Sequence, residues 1–256
     1  MLLILSPAKI QDFKPNSLTV EYTVPYYMKE ADYLVENLRK YSKEQLTELL
    51  EVNNDIAKSA YDKFYNWSEK HTPENSKQAL FVYAGEVYRG LQAGTFTEKD
   101  IAFAQQHLRV FSGLYGVLRP LDLIQPYRFE MNAKLKNNAG KDMYAFWTEK
   151  LTEATNIALE ESGEPQVLLN LCSNEYFKAL DKKKLKAPVI HFEFLDHKNG
   201  IYKPITIYMK KARGMMARYI IKNQINSVED LKGFDSEGYW FNTALSTEDK
   251  LVFTRG

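Results

Sequence analysis

Short apolar runs, each ended abruptly by polar or small residues, constrain the fold of this 256-residue chain more than any other feature. Such runs lie at 2–5 (LLIL), 79–83 (ALFVY), 166–171 (QVLLNL) and 251–253 (LVF). Apolar residues without polar alternation are typical of strands that are covered on both faces, as in a parallel sheet. The segments between the runs have helical periodicity, and strands that alternate with helices indicate an α/β fold.

Capping residues indicate where several helices begin. Ser42 and Thr97 are each followed three residues later by a side chain that completes a capping box. Asp142 precedes a long stretch of helical periodicity. We therefore predict helices that begin near residues 42, 97 and 142, the second of them continuing through residue 111.

A predicted hairpin indicates that the sheet is not purely parallel, because the two strands of a hairpin are antiparallel. Two alternating runs within 189–209 meet at Asn199-Gly200, a dipeptide that favours a two-residue type I′ turn. We therefore predict an α/β (mixed α+β) fold with a mixed sheet. Because the chain has neither an internal repeat nor a linker, we predict a single domain over residues 1–256.

Charge, cysteine content and the first residues indicate the environment of the protein. The formal net charge is +1, so any attraction to nucleic acid must come from a local concentration of charge. Cys172 is the one cysteine of the sequence and cannot form an internal disulfide. The amino-terminal apolar run covers five residues, and no run approaches the roughly 18 that span a bilayer. We expect a cytoplasmic protein without a membrane partner.

The sequence has no pattern of a metal or cofactor site. His71, His107, His191 and His197 lack the spacing of metal ligands. No glycine loop of the kinds that bind nucleotide phosphates or dinucleotides is present. Cys172 has no evident neighbour that would lower the pKa of its thiol. We expect no metal site, no cofactor and an unreactive cysteine.

A basic segment lies in the last third of the chain. No acidic residue occurs between Asp196 and Glu229, whereas this stretch contains seven lysines and arginines. Lys210, Lys211 and Arg213 are predicted to lie where a strand leads into a helix, and free amide groups at a helix start attract anions. The segment is either a phosphate or other anion site or an ordinary solvated face.

A glycine turn between two predicted helical segments has the local pattern of a helix-hairpin-helix at about residues 97–124. Its glycines would permit positive φ and a close approach of backbone N–H groups to phosphate. Such contacts hold double-stranded DNA without reading its sequence. A purely structural turn is the alternative. The turn and its flanking arginines comprise Arg109, Ser112, Gly113, Leu114, Tyr115, Gly116, Arg119 and Arg128.

Polar clusters follow several predicted strands, and the carboxyl ends of strands in an α/β sheet gather ligands. We expect these clusters to meet in a pocket for a small anionic or nucleotide-like ligand. Three of the residues, Lys9, Ser173 and Glu175, are candidates for a catalytic role. The alternative is that each cluster caps its own helix. The pocket candidates are Ser6, Lys9, Arg89, Ser173, Glu175 and Arg213.

Collinear motifs along nearly the whole chain resemble the peroxide-stress resistance family called YaaA. The resemblance implies protection against hydrogen peroxide, an association with limiting free iron and oxidative DNA damage, and DNA binding through an embedded helix-hairpin-helix. By position, the hairpin role falls on residues 113–116. The resemblance supplies no set of catalytic residues and does not imply a thiol mechanism. The motifs are LSPAK at 5–9, VYRGLQ at 87–92, FAQQHLR at 103–109, SGLYGVLRPLD at 112–122, QPYR at 125–128, Asn170-Leu171 with Ser173, EYF at 175–177, KKARG at 210–214, and Phe234 with SEGY at 236–239.

Two classes of function remain open at this point. A DNA-binding stress protein predicts that the hairpin and the basic segment lie on one open groove. An enzyme acting on a small anionic substrate predicts instead that Lys9, Arg89, Glu175 and Arg213 converge in a closed pocket. The sequence does not decide between them.

Overall fold

The secondary structure comes from a computed structural model that describes residues 1–14 and 19–256. Across these residues, no helix is long and apolar enough to cross a membrane. The strands are β1 (Leu2–Leu5), β2 (Lys77–Gln78), β3 (Leu108–Ser112), β4 (Gly116–Leu118), β5 (Leu123–Ile124), β6 (Leu168–Asn170), β7 (Val189–Lys198), β8 (Ile201–Lys203), β9 (Trp240–Phe241) and β10 (Lys250–Arg255). The α-helices are α1 (Met28–Leu38), α2 (Lys43–Leu50), α3 (Asn54–Asn66), α4 (Ala79–Val82), α5 (Glu86–Leu91), α6 (Glu98–His107), α7 (Met143–Glu161), α8 (Asn174–Phe177) and α9 (Thr206–Asn223).

An eight-stranded mixed sheet organises the chain, which confirms the predicted α/β class. The path through the sheet is β4-β3-β1-β6-β7-β10-β9, with β8 paired to β7. Its five central strands are parallel, and β4, β8 and β9 pair antiparallel with their neighbours. Taken in chain order, the parallel strands stand 2-1-3-4-5, as in one common type of doubly wound sheet. The strand order therefore reverses direction beside β1, between β1 and β6.

The predicted helix starts are confirmed by their caps. The side chains of Ser42 and Thr97 each accept a hydrogen bond from the backbone N–H three residues on, and both capping boxes are complete. The Asp142 carboxylate accepts a hydrogen bond from the Ala145 N–H at the start of α7. Each cap satisfies an amide that the helix itself leaves without a partner.

The prediction of a helix-hairpin-helix was wrong. The helix that Thr97 caps ends at His107, and strands β3 and β4 follow it as an antiparallel pair. Residues 108–118 are buried throughout. A short apolar run fits one face of a helix and a buried strand equally well, and here pairing with β1 decides for the strand. By the same ambiguity, the predicted strand at 79–83 is mostly the helix α4.

The glycine turn packs inside the protein and does not face solvent. A Cβ atom on Gly113 would lie 2.6 Å from the Phe129 carbonyl oxygen. Gly116 has a φ of +69°, and a Cβ there would lie 2.5 Å from the Trp147 ring. The Trp147 indole N–H donates a hydrogen bond of 2.8 Å to the Gly113 carbonyl. These glycines are therefore required for core packing, which is the structural alternative considered above.

The prediction that segment 210–213 lies at a strand-to-helix junction was wrong, because the segment lies inside helix α9 (Thr206–Asn223). The hairpin at Asn199-Gly200 forms, but β8 ends at Lys203. Pro204 follows directly, and a proline has no N–H to continue the ladder. Helix α9 begins at Thr206, so the amide groups of its first turn lie before Lys210.

Two glycines allow α5 and α9 to touch through their backbones. A Cβ on Gly214 would lie 1.7 Å from the Val87 carbonyl oxygen, and one on Gly90 would lie 2.1 Å from the Lys211 carbonyl oxygen. Neither contact can be relieved by a side-chain rotation, because the opposing atoms are backbone atoms. The contact fixes the position of α9 next to the start of α5.

We expect Gly214→Ala to lower the free energy of unfolding by about 3 kcal/mol or more, because the added methyl forces two packed helices apart. The measurement is chemical denaturation of the variant and of Gly94→Ala. Gly94 has no atom within 4 Å of an added Cβ, so its variant should match the wild type. Equal stability of the two variants would contradict the backbone contact.

The Tyr115 hydroxyl joins three segments in the core. The Trp67 indole N–H donates to it over 2.9 Å, and the Gln125 backbone N–H donates over 3.1 Å. His71 Nε2 lies 2.9 Å from the same oxygen. His71 is buried, and desolvation lowers the pKa of its imidazole from 6.5 to about 4.

This pKa predicts acid lability that His71→Gln should reduce. The unfolded chain protonates His71 near pH 6.5 and the folded chain only near pH 4, so stability falls as pH drops through that interval. The expected loss is about 3 kcal/mol, measured as the difference in unfolding free energy between pH 7 and pH 4. His197 is exposed, and His197→Gln should keep the wild-type pH dependence. An unchanged pH dependence in His71→Gln would disprove the assignment.

Candidate functional site

A cavity of about 390 Å³ lies at the carboxyl ends of β1 and β6, where the strand order reverses. Ser6 follows β1, and Ser173 follows β6 and precedes α8. Parallel pairing of β1 with β6 places these two ends at the same edge of the sheet. The polar side chains that line this strand-end cavity are Ser6, Lys9, Gln11, Glu86, Arg128, Glu130, Ser173, Glu175, Lys210 and Arg213, with Tyr127, Phe129 and Tyr176 among the aromatic ones.

Buried polar atoms without hydrogen-bond partners are concentrated here. In residues 1–14 and 19–256 they are Arg128 Nε, Glu130 Oε1, Glu175 Oε1 and Arg213 Nε, and all four residues line the strand-end cavity. Arg128 Nε and Glu130 Oε1 lie 2.5 Å apart as an ion pair, although not in hydrogen-bond geometry. Glu175 and Arg213 are therefore the two groups with an unmet requirement. Buried groups of this kind are rare in folded proteins and call for a ligand or a water.

Several other surface grooves, including one of about 420 Å³ beside α8, are larger but lack this chemistry. One, of about 520 Å³, lies along α3 and is lined by Asp55 and Lys63 among others. Another, of about 780 Å³, lies beside the end of α9. None of the four unpartnered atoms found in the described residues belongs to any of these grooves. Volume alone would favour these grooves, but a binding site is defined by convergent polar groups, which favour the strand-end cavity.

Arg213 projects from α9 into the cavity without a counter-charge. Burial lowers the pKa of its guanidinium, and Cys172 is the one titratable neighbour that acts against the shift. Within the described residues, no acidic side chain contributes to this shift. The Arg213 Nη2 group makes a weak 3.9 Å contact with the Met209 sulfur. A guanidinium stays charged at neutral pH even after such a shift, so the site holds an uncompensated positive charge.

Glu175 lies on α8 in a different charge environment. Burial raises the pKa of its carboxyl, and the negative charge of Glu130 raises it further. Lys9 and the backbone N–H groups of Asn132 and Met131 act in the opposite direction. The carboxyl is thus held closer to neutrality than an exposed glutamate and is suited to accept or release a proton.

A pair of serines forms part of the wall. Ser6 Oγ accepts a hydrogen bond of 2.8 Å from the Ser173 N–H. The Ser6 hydroxyl donates to Ser173 Oγ over 3.3 Å. The proton of the Ser173 hydroxyl is therefore free to point at a ligand. Tyr88 fixes the loop from the other side by donating to the Ser6 carbonyl over 2.9 Å.

The structure brings together five of the six residues that were predicted to share a pocket. Arg89 is the exception, because it pairs with Glu86 and its side chain is 66% exposed. Lys9 is at the rim, with a side chain that is 67% exposed and lies 3.8 Å from Glu130. Of the residues predicted to bind DNA or phosphate, Arg128 and Lys210 also line the cavity. The five pocket residues are Ser6, Lys9, Ser173, Glu175 and Arg213.

The remaining predicted phosphate ligands have structural contacts instead. Arg109 is buried and donates to the carbonyl oxygens of the neighbouring turn. Arg119 forms an ion pair with Asp122 and donates to the Val24 carbonyl. Lys211 forms an ion pair with Glu237. Ser112 is buried and shares a hydrogen bond with the Tyr127 hydroxyl.

Sequence reasoning missed Glu130 and the aromatic wall. Glu130 follows no apolar run, so the strand-end argument does not reach it. The one sequence feature that could have identified Glu130 is weak: it is the first acidic residue after Asp122 in a segment rich in arginine. The sequence indicated no role for Tyr127, yet this residue lines the cavity. Its hydroxyl lies 2.8 Å from that of Tyr83.

Cys172 lies beneath the cavity and not on its surface. It is 3% exposed, and burial raises the pKa of its thiol to about 12. The thiol donates to the Asn170 side-chain oxygen over 3.0 Å. At neutral pH the sulfur therefore remains protonated, which disfavours nucleophilic chemistry.

Comparison with known protein families agrees with the motifs along the chain. A family model described as peroxide stress protein YaaA matches residues 1–245. The match includes every residue that lines the strand-end cavity. The chain therefore belongs to the peroxide stress protein YaaA family.

Proposed function

We propose that this chain serves its peroxide-stress role by binding a small ligand with a phosphate or carboxylate group in the strand-end cavity. One observation carries the proposal: Arg213 is half-buried, and its guanidinium Nε is buried without a hydrogen-bond partner among the described residues. Burying an unpaired charge costs several kcal/mol, and an anion in the cavity would remove most of that cost. The free Ser173 hydroxyl is a second donor to the same anion.

The position of the cavity supports the same proposal. Ligands of doubly wound sheets bind outside the carboxyl ends of the strands where the strand order reverses, and Ser6 and Ser173 lie at that place. A volume of about 390 Å³ suits a small molecule. Glu175 could add proton transfer to binding, since its pKa is raised and it faces the same space.

Arg213→Met should weaken binding of inorganic phosphate by roughly tenfold to a hundredfold, the value of a charge-assisted hydrogen bond. The measurement is titration calorimetry, with phosphate-induced thermal stabilisation as a second readout. Arg89→Met is the matched control, because this arginine lies outside the cavity lining and should leave phosphate binding unchanged.

The ligand-free stability of Arg213→Met separates a binding role from a structural one. Replacement of an uncompensated buried cation by an apolar side chain should leave the melting temperature equal or higher. A structural arginine would give a lower melting temperature. Phosphate affinity equal to that of the wild type in Arg213→Met would contradict the proposal.

Binding of double-stranded DNA is a second proposal, and it now depends on exposed cations in place of a hairpin. Lys9 and Lys210 are exposed and lie at the same cavity. Lysines in such positions contact DNA phosphates without regard to sequence. The net charge of +1 requires that this attraction be local.

DNA affinity should fall with salt, with a log–log slope of about 0.9 per phosphate contacted. In Lys9→Met combined with Lys210→Met, the slope should shrink by about 2, while exposed Lys99→Met leaves it unchanged. Fluorescence titration of duplexes with unrelated sequences measures both effects. Absence of binding at low salt, or binding that ignores salt, would refute the DNA proposal and leave the anion site unaffected.

A further inference from the structure

We infer that the ligand of the strand-end cavity is two-ended, with a nitrogen that donates hydrogen bonds to Glu175 in addition to the anionic group bound by Arg213. This inference rests on the proposed function and specifies the class of ligand. The class is a small molecule that combines an amine or amide nitrogen with a phosphate or carboxylate.

The Glu175 side chain has a buried oxygen that lacks a hydrogen-bond donor in the described chain. Its Oε1 atom is buried and has no partner among the described residues. A carboxylate oxygen accepts hydrogen bonds, so the missing partner is a donor. Lys9 is the cation that lowers the pKa of Glu175, but its side chain is mostly exposed and its ion pair is with Glu130, at 3.8 Å. The backbone N–H groups of Asn132 and Met131 act on the same carboxyl, so Oε1 is its unpartnered acceptor on the α8 side of the cavity.

Glu175 and Arg213 have different charged neighbours within the cavity. Glu130 is close enough to Glu175 to raise its pKa, so two carboxyl groups share one region. Arg213 responds to burial and to Cys172, with no acidic side chain of the described chain contributing to its shift. Because Glu130 is already paired with Arg128, Glu175 is the carboxyl of this region that lacks a partner among the described residues, and no acidic group acts on Arg213. A single inorganic anion would pair with Arg213 alone. Its negative charge would repel the carboxylate of Glu175 if it came close.

Aromatic residues form part of the wall of the strand-end cavity. Tyr127, Phe129 and Tyr176 line the same cavity and are all buried. Aromatic walls favour a short apolar connection between polar ends, and a volume of about 390 Å³ limits its length. A zwitterion of amino-acid or aminoalkyl phosphate size fits these conditions.

The test compares ligands that differ in one group. O-Phosphoethanolamine and n-propyl phosphate have nearly the same shape, but the first ends in an ammonium and the second in a methyl. Homologous pairs with three and four methylenes, and β-alanine against butyrate, extend the comparison to other lengths and to carboxylate. Titration calorimetry should show that the amine-bearing member of at least one pair binds roughly tenfold tighter or better.

Two variants assign the preference to Glu175. In Glu175→Gln the preference should fall to within about threefold, because the charge-assisted bond is lost. Glu153→Gln is the matched control, since Glu153 is exposed and lies outside the cavity lining. This control should keep the wild-type preference.

The possible results distinguish this inference from the proposal on which it rests. If phosphate binds but no amine-bearing ligand is preferred by the wild type at any length, the two-ended ligand is wrong and the anion site stands. An undiminished preference in Glu175→Gln would also overturn the assignment. If neither phosphate nor any pair binds, the proposed function itself fails. The wild-type comparison needs no variant, so it decides the matter even if Glu175→Gln does not fold.

Discussion

Burial of β1 between two parallel neighbours is the constraint on which the rest of the structure depends. All four of its residues, Leu2–Leu5, are fully inaccessible to solvent. The strand pairs with β3 on one side and β6 on the other, so its backbone groups are satisfied by those two strands. Polar residues can occur in this part of the chain only after Leu5, and the next residue, Ser6, is polar. The position of the cavity is thus a consequence of where a fully apolar strand ends.

The cavity contains two polar groups, on Arg213 and Glu175, that lack hydrogen-bond partners among the described residues and destabilise the fold unless a ligand binds them. Arg213 is held there because Gly214, its neighbour, lets α9 contact the backbone of α5. Glu175 is held there because α8 begins directly after Ser173. The strong packing of the helices and the sheet thus compensates for two unpaired polar groups. Such local conflict within an otherwise consistent structure is typical of a binding site.

The sequence predicted the sheet, and the polar side chains that meet at its edge, better than it predicted whether a given segment is a helix or a strand. Leu2–Leu5 and the Asn199-Gly200 turn were recognisable because an uninterrupted apolar run and a turn dipeptide have few alternatives. The segment 108–118 was not, because its apolar spacing fits a helix as well as a strand until β1 is available as a partner. Glu130 and Tyr127 were missed for a related reason: they reach the cavity through an irregular segment whose path no periodicity encodes.

The hydroxyl of Tyr115 also determines where protons lie in the core. It accepts from Trp67 and from the backbone of Gln125, so both of its lone pairs are occupied. Its own proton must then point to His71 Nε2, which acts as an acceptor. The imidazole is consequently the Nδ1–H tautomer, and that N–H is directed at the Glu69 carbonyl oxygen. Two fixed donors, an indole N–H and a backbone N–H, thereby determine both the direction of the tyrosine proton and the tautomer of the histidine.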